Sequence, residues 1–172
     1  FFTKIGIWNF NDKYILGWRI LLLPIEEWLF FIFVPFACIF IYECCNTYIQ
    51  KDFLQKHAYK INGSILLIIG VVSILNFHKT YTAFNFISAA VLMAYVQFIL
   101  KPNWLGRFYI GYFIALIPFF IVNGILTYMP VVTYNDAENL GIRLFTIPIE
   151  DTIYCLLLLL MNVIMYEYIK QK

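Results

Sequence analysis

The sequence predicts an all-α integral membrane protein with about five transmembrane helices, built on a three-plus-one-plus-three parallel internal repeat. Three observations carry this reading: long apolar blocks, aromatic residues near the block ends, and a gap-free match of the chain to itself. Of 172 residues, 63% are hydrophobic and 13% charged. Soluble domains run at about 45–50% apolar and about 25% charged. A span needs roughly 20 mostly apolar residues to cross the hydrocarbon core. The net charge of +2 is spread along the chain, without a basic patch for nucleic acid.

The first helix is expected over about Leu21–Tyr42, the second over Ile61–Phe77 and the third over Phe84–Leu100. The fourth is expected over Phe108–Tyr128 and the fifth over Leu144–Tyr168. Short polar connections join them, and Met129–Arg143 is the longest, with Asn135, Asp136 and Glu138. Tyr and Trp gather near the ends, among them Trp8, Trp18, Trp28, Tyr81, Trp104 and Tyr128. Such rings sit half in lipid and half in water. Lys51, Lys56, Lys60, Lys101, Arg107, Lys170 and Lys172 fall on one side, which the positive-inside rule favours as cytoplasmic. Lys4, Lys13, Arg19, Lys79 and Arg143 fall on the other.

Sliding the chain against itself by 124 residues aligns Asn11-Asp12 with Asn135-Asp136, Gly17 with Gly141 and Arg19 with Arg143. The same shift aligns Pro24-Ile25-Glu26 with Pro148-Ile149-Glu150 and Tyr42-Glu43 with Tyr166-Glu167. Glu27 meets Asp151, Phe10 meets Tyr134 and Phe30 meets Tyr154. Apolar blocks align by chance at Leu and Ile, but not at Asn, Asp, Gly, Arg, Pro and Glu. The expected organisation follows: residues 1–48 as the C-terminal part of a first repeat, 49–80 as a linker helix, and 81–172 as a second repeat. The chain begins at Phe1 and reads as N-terminally truncated, with counterparts of the third and fourth helices expected ahead of it.

The repeated acidic pairs, Glu26-Glu27 and Glu150-Asp151, are the candidate catalytic residues. A plain reading exists: Pro and acidic residues both suit the first turn of a helix. Two copies with the same polar residues ahead of them favour function, as do carboxylates at a membrane boundary. Glu26 and Phe30 stand at i and i+4, as do Glu150 and Tyr154, so each copy sets a carboxyl on the face of a ring. A carboxyl partly removed from water holds its proton more tightly, and an aromatic face stabilises a cation. Together they suit protonation of an alkene to a carbocation. The second acid would remain ionised beside Arg19 or Arg143 and take a proton back. Phe30, Tyr154 and Trp28 are the candidate cation-stabilising rings, and Asn11, Asp12, Arg19, Asn135, Asp136 and Arg143 the supporting residues.

Tyr42-Glu43 and Tyr166-Glu167 lie about 25 Å further along their helices, too far to join that site, and read as interfacial anchors. Gln97, Asn123 and Asn162 read as interhelical hydrogen-bond partners, and Pro118 as a kink. No metal site is expected: Cys38, Cys44, Cys45 and Cys155 lack C-x-x-C spacing, and His57 and His78 form no H-x3-H pair. No Gly-rich nucleotide fingerprint is present, and no cofactor is expected.

Leu-Pro-Ile-Glu-Glu-Trp-Leu-Phe-Phe (Leu23–Phe31) and Ile-Pro-Ile-Glu-Asp-Thr-Ile-Tyr (Ile147–Tyr154) resemble the P-x-E-[ED] signature of the small membrane lycopene cyclases. Thr3–Asp12 and Thr133–Arg143 are similar to that family too, so the resemblance covers essentially the whole chain. It implies a redox-neutral cyclisation of the linear ends of lycopene into β-ionone rings, giving γ- and then β-carotene. It implies a carotenoid dissolved in the bilayer as substrate, a bacterial inner-membrane location, and an oligomer or other carotenoid enzymes as further partners. It carries catalytic roles to Glu26, Glu27, Glu150 and Asp151, and cation stabilisation to Phe30 and Tyr154, without saying which acid gives the proton. Two rivals stay open at this point. A small-solute transporter can use the same repeat plan, with polar residues at the midplane. An intramembrane prenyltransferase would hold magnesium and a diphosphate on Asn135-Asp136-Ala137-Glu138.

Overall fold

The computed structural model describes residues 2–170. Five helices dominate it: α1 (Ile25–Tyr48), α2 (Gln55–Leu75), α3 (Thr80–Tyr95), α4 (Leu105–Tyr128) and α5 (Glu150–Lys170). A π-helical turn, Val96–Leu100, extends α3 so that Thr80–Leu100 counts as one span. All five are long and apolar enough to cross a membrane. Hydropathy locates them because each spans with its backbone bonds satisfied internally.

The helix starts differ from expectation in an instructive way. Leu21–Pro24 and Leu144–Pro148 are not helical but belong to hairpins outside the spans. β2 (Arg19–Ile20) pairs with β3 (Leu23–Pro24) through a two-residue turn, and Leu21 and Leu22 take φ of 52° and 71° there. Left-handed backbone at both central residues is the turn whose twist matches a hairpin. β5 (Arg143–Leu144) and β6 (Ile147–Pro148) pair in the same register, but of the two turn residues only Phe145, at φ 59°, is left-handed. Gly17 and Gly141 stand ahead of these hairpins at φ 85° and 73°, where a side chain would be strained.

β1 (Trp8–Phe10) and β4 (Val132–Tyr134) form a third small sheet, antiparallel, with Trp8 opposite Tyr134 and Phe10 opposite Val132. Each strand is therefore the other shifted by 124 residues, paired about the Asn9–Thr133 position. Three such ladders were not expected from an all-helical reading. They form because the membrane-boundary loops have no neighbouring helix to satisfy their backbone groups.

Within the bundle, α3 packs between α2 and α5, and α1 packs on α4 and α5. The common core includes Tyr42, Met93, Leu105, Phe108, Leu156 and Leu160. Gly111 of α4 lets α1 come close: a Cβ there would lie 3.4 Å from the Tyr42 Cα. Tyr42 is buried and donates to Glu167 at 2.7 Å, while Lys170 donates to Glu43 at 3.0 Å. Tyr42 thus ties α1 to α5 from inside the protein, and the exposed Lys170–Glu43 pair joins the same two helices at the surface. Gln97 does bond between helices, accepting from Asn62 at 2.9 Å. Asn162 instead donates to Leu158 of its own helix.

Candidate active site

Several hydrogen bonds recur at the 124-residue offset in the two boundary loops. Leu16 N–H donates to Glu26 Oε1 at 2.7 Å, and Leu140 N–H to Glu150 Oε1 at 2.7 Å. Ile25 N–H reaches the Trp18 carbonyl, and Ile149 N–H the Ile142 carbonyl, each at 3.0 Å. Arg19 pairs with Asp12 and Arg143 with Asp136, each at 2.5 Å. Asn11 and Asn135 each accept from the backbone two residues on, at 3.1 Å. The shared Asn-Asp, Gly, Arg and Pro-Ile-Glu residues thus build one loop twice. The first acid of each pair belongs to that loop.

Arg19 and Arg143 do not pair with the motif acids, as the sequence suggested. The hairpin sets each Arg opposite its Pro and turns it back to the loop aspartate seven residues earlier. At Asp136, slight burial is outweighed by hydrogen bonds from Asn139 and Arg143 and by the Arg143 charge, which hold its carboxyl below the usual range. Glu138 takes hydrogen bonds from Thr80 at the start of α3, which also lower its carboxyl. Both carboxylates of the Asn135-Asp136-Ala137-Glu138 segment suggested for a magnesium-diphosphate site are thereby engaged in holding the loop. Among the described residues, no group of three His, Cys, Asp or Glu side chains is placed to hold a metal ion.

The second acids meet. Glu27 of α1 and Asp151 of α5 line one narrow cleft, together with Trp8, Phe30, Tyr81, Phe119, Asn123, Tyr134 and Tyr154. The walls are mostly aromatic and interlocked: Trp8 stands edge-on to Tyr154 with ring centroids 6.1 Å apart, and to Tyr81 at 6.0 Å. Asp151 is buried, and both of its oxygens are held. Tyr81 donates to Oδ1 at 2.5 Å and Tyr134 to Oδ2 at 2.6 Å. Burial and the adjacent Asp151 charge raise the Tyr134 hydroxyl well above its ordinary range, so it stays a donor.

Glu150, fully buried, accepts from Thr82 at 2.7 Å as well as from Leu140, and its own carbonyl accepts from Asn85 at 2.7 Å. Its Oε2 and the Oε2 of Glu26 are both buried without a partner. Trp28 lies outside the cleft and donates to the Ile20 carbonyl at 3.1 Å, bracing the hairpin.

Two further spaces adjoin the cleft. An apolar groove of about 500 Å³ runs between α1 and α4, from Phe30 past Val34, Ala37 and Cys38 to Ile41. Eleven residues of helix correspond to roughly 16 Å of depth into the membrane. Phe30, Phe119 and Asn123 are common to cleft and groove. On the loop side, Phe10, Tyr14, Pro24, Glu26 and Glu27 line a more open hollow.

A family model described as lycopene cyclase matches residues 1–45 and 78–169. The chain belongs to the lycopene cyclase family. No curated protein and no solved structure matches it. Membership makes this a carotenoid cyclase, acting on a carotenoid in the membrane. The matched residues include every residue lining the cleft, and the unmatched stretch contains α2, which lines none of it.

For a lycopene cyclase the cleft holds residues that sequence reasoning passed over: Trp8, Tyr81, Phe119, Asn123 and Tyr134. A usable signal existed for two of them. Tyr81, Thr82 and Asn85 place polar groups at i, i+1 and i+4 in an otherwise apolar segment, which is costly unless partnered. Tyr134 is a phenol where the first copy has Phe10.

Proposed function

We propose that the chain converts the linear ψ-ends of lycopene to β-ionone rings, giving γ- and then β-carotene. The observation that carries this reading is one cleft where Glu27 and Asp151 face aromatic walls beside an apolar groove. Ring closure needs a proton given, a cation stabilised and a proton removed. Two carboxyls can supply the first and last steps. The faces of Phe30, Tyr154 and Trp8 suit the cation between them. The groove along α1 and α4 suits the unreacted polyene, a hydrocarbon that arrives from the bilayer. The reaction is an isomerisation, with no oxidant or reductant to balance.

The cleft draws on both copies: Trp8, Glu27 and Phe30 from residues 1–48, and Tyr81, Tyr134, Asp151 and Tyr154 from residues 81–172. We read it as a single site shared by the two repeats, with 49–80 as the linker. The carboxyls Glu26 and Glu150, at the helix starts, hold the loops that aim Glu27 and Asp151. Expression of the complete gene in a lycopene-accumulating bacterium tests this. Ring-bearing carotenoids, and a change from red to yellow-orange, are the expected result. Unchanged lycopene beside correctly inserted protein would refute it.

A further inference from the structure

We infer that Glu27 is the proton donor and Asp151 the base, and that Tyr81 and Tyr134 fix this division by holding Asp151 as a carboxylate. The inference rests on the cyclase reading above and assigns roles within it.

The geometry is unequal where the sequence is nearly equal. Both Asp151 oxygens accept a phenol hydroxyl, at 2.5 and 2.6 Å. A carboxylate accepts well on both oxygens at once, whereas protonation turns one of them into a donor and leaves it a much weaker acceptor. Glu27 makes no hydrogen bond or ion pair among the described residues. The residue offset by 124 from Tyr134 is Phe10, which lines the hollow beside Glu27 and has no hydroxyl to give. Two carboxyls in one low-dielectric cleft resist both being charged. Removal from water by itself favours a neutral carboxyl, and the charge fixed on Asp151 adds to that, so the proton stays on Glu27.

The steps balance. The Glu27 proton adds to C2 of a terminal C1=C2 bond, leaving a tertiary cation at C1. The C5=C6 electron pair closes the C1–C6 bond and moves the cation to C5. Asp151 takes the C6 proton, and that C–H pair becomes the C5=C6 bond of the β-ring. One proton has left Glu27 and one has reached Asp151, so exchange through water restores both. Tyr81 and Tyr134 are positioning residues, since they act through Asp151.

The test uses membranes from cells expressing the complete gene, supplied with lycopene in deuterated buffer, with mass spectrometry of product and recovered substrate. Wild type is expected to gain one deuterium per ring. Glu27→Gln is expected to give neither rings nor deuterium in recovered lycopene. Asp151→Asn is expected to lower ring formation at least tenfold while recovered lycopene still gains deuterium. Tyr134→Phe keeps the ring packing, and covers the case in which Asp151→Asn does not fold. It is expected to raise severalfold the share of rings whose double bond lies elsewhere than C5=C6. A merely structural role would lower yield at an unchanged ratio, and that outcome overturns the inference. Deuterium uptake by Glu27→Gln, or its loss in folded Asp151→Asn, also overturns it. A wild-type protein that makes no ring overturns the cyclase reading itself.

Discussion

Glu27 and Asp151 are 124 residues apart in the chain, yet they line the same aromatic cleft. Their neighbours Glu26 and Glu150 each take a backbone N–H ten residues upstream instead. Adjacent acids therefore have separate jobs: one closes the loop and the other faces the cleft.

That separation ranks the acids. Glu27→Gln and Asp151→Asn are each expected to reduce ring formation by about 10²–10⁴-fold, the usual contribution of a positioned acid or base. Pigment yield per folded protein in lycopene-accumulating cells measures it. Similar loss at all four acids would argue against distinct roles.

Glu150→Ala should act on the fold first. It leaves the Leu140 N–H and the Thr82 hydroxyl without their acceptor, at about 1–3 kcal/mol for each buried group left unpaired. A lowered melting temperature in detergent is the readout. Glu150→Gln keeps an acceptor oxygen and should retain more than a tenth of wild-type cyclisation, in contrast to Asp151→Asn.

The groove should show itself through substrate affinity. Ala37 lines the groove and is itself exposed, so Ala37→Phe narrows the space without overpacking the core. The expected effect is a rise of about tenfold in KM for lycopene, with melting temperature close to wild type. An unchanged KM would move the polyene elsewhere.

Asp136 provides a control outside the cleft. Its folded-state carboxyl lies below the ordinary value, so its contribution to stability is present at neutral pH. That contribution is lost as pH falls from about 4 through the folded value. The Arg143–Asp136 pair is largely exposed, and a double-mutant cycle should give a coupling below about 1 kcal/mol that weakens with salt.

The sequence made the five spans legible because lipid demands long uncharged blocks. It made the loops legible because Asn, Asp, Gly, Arg and Pro recur at fixed spacing. It misplaced the helix starts at Leu21 and Leu144. An apolar hairpin tip and an apolar helix turn have the same hydropathy, and only the left-handed backbone at Leu21, Leu22 and Phe145 distinguishes them. Hydropathy starts the third helix at Phe84 rather than at Thr80, because Thr80, Tyr81 and Thr82 look like loop residues. The Thr80 backbone N–H instead donates to Glu138, and the Tyr81 and Thr82 hydroxyls donate to Asp151 and Glu150. Helical spacing paired Glu26 with Phe30 and Glu150 with Tyr154. The site is assembled by residues far apart in the chain, and spacing along one helix cannot reveal those.

The central claim is that Glu27 and Asp151 work together on a carotenoid. Its most direct test is pigment chromatography of a lycopene-accumulating strain expressing wild type, Glu27→Gln and Asp151→Asn from the complete gene. The account expects γ- and β-carotene from wild type, and lycopene with little or no β-ring product from either variant, at equal levels of inserted protein. Full conversion by either variant, or solute uptake by the wild type without any conversion of lycopene, would contradict it.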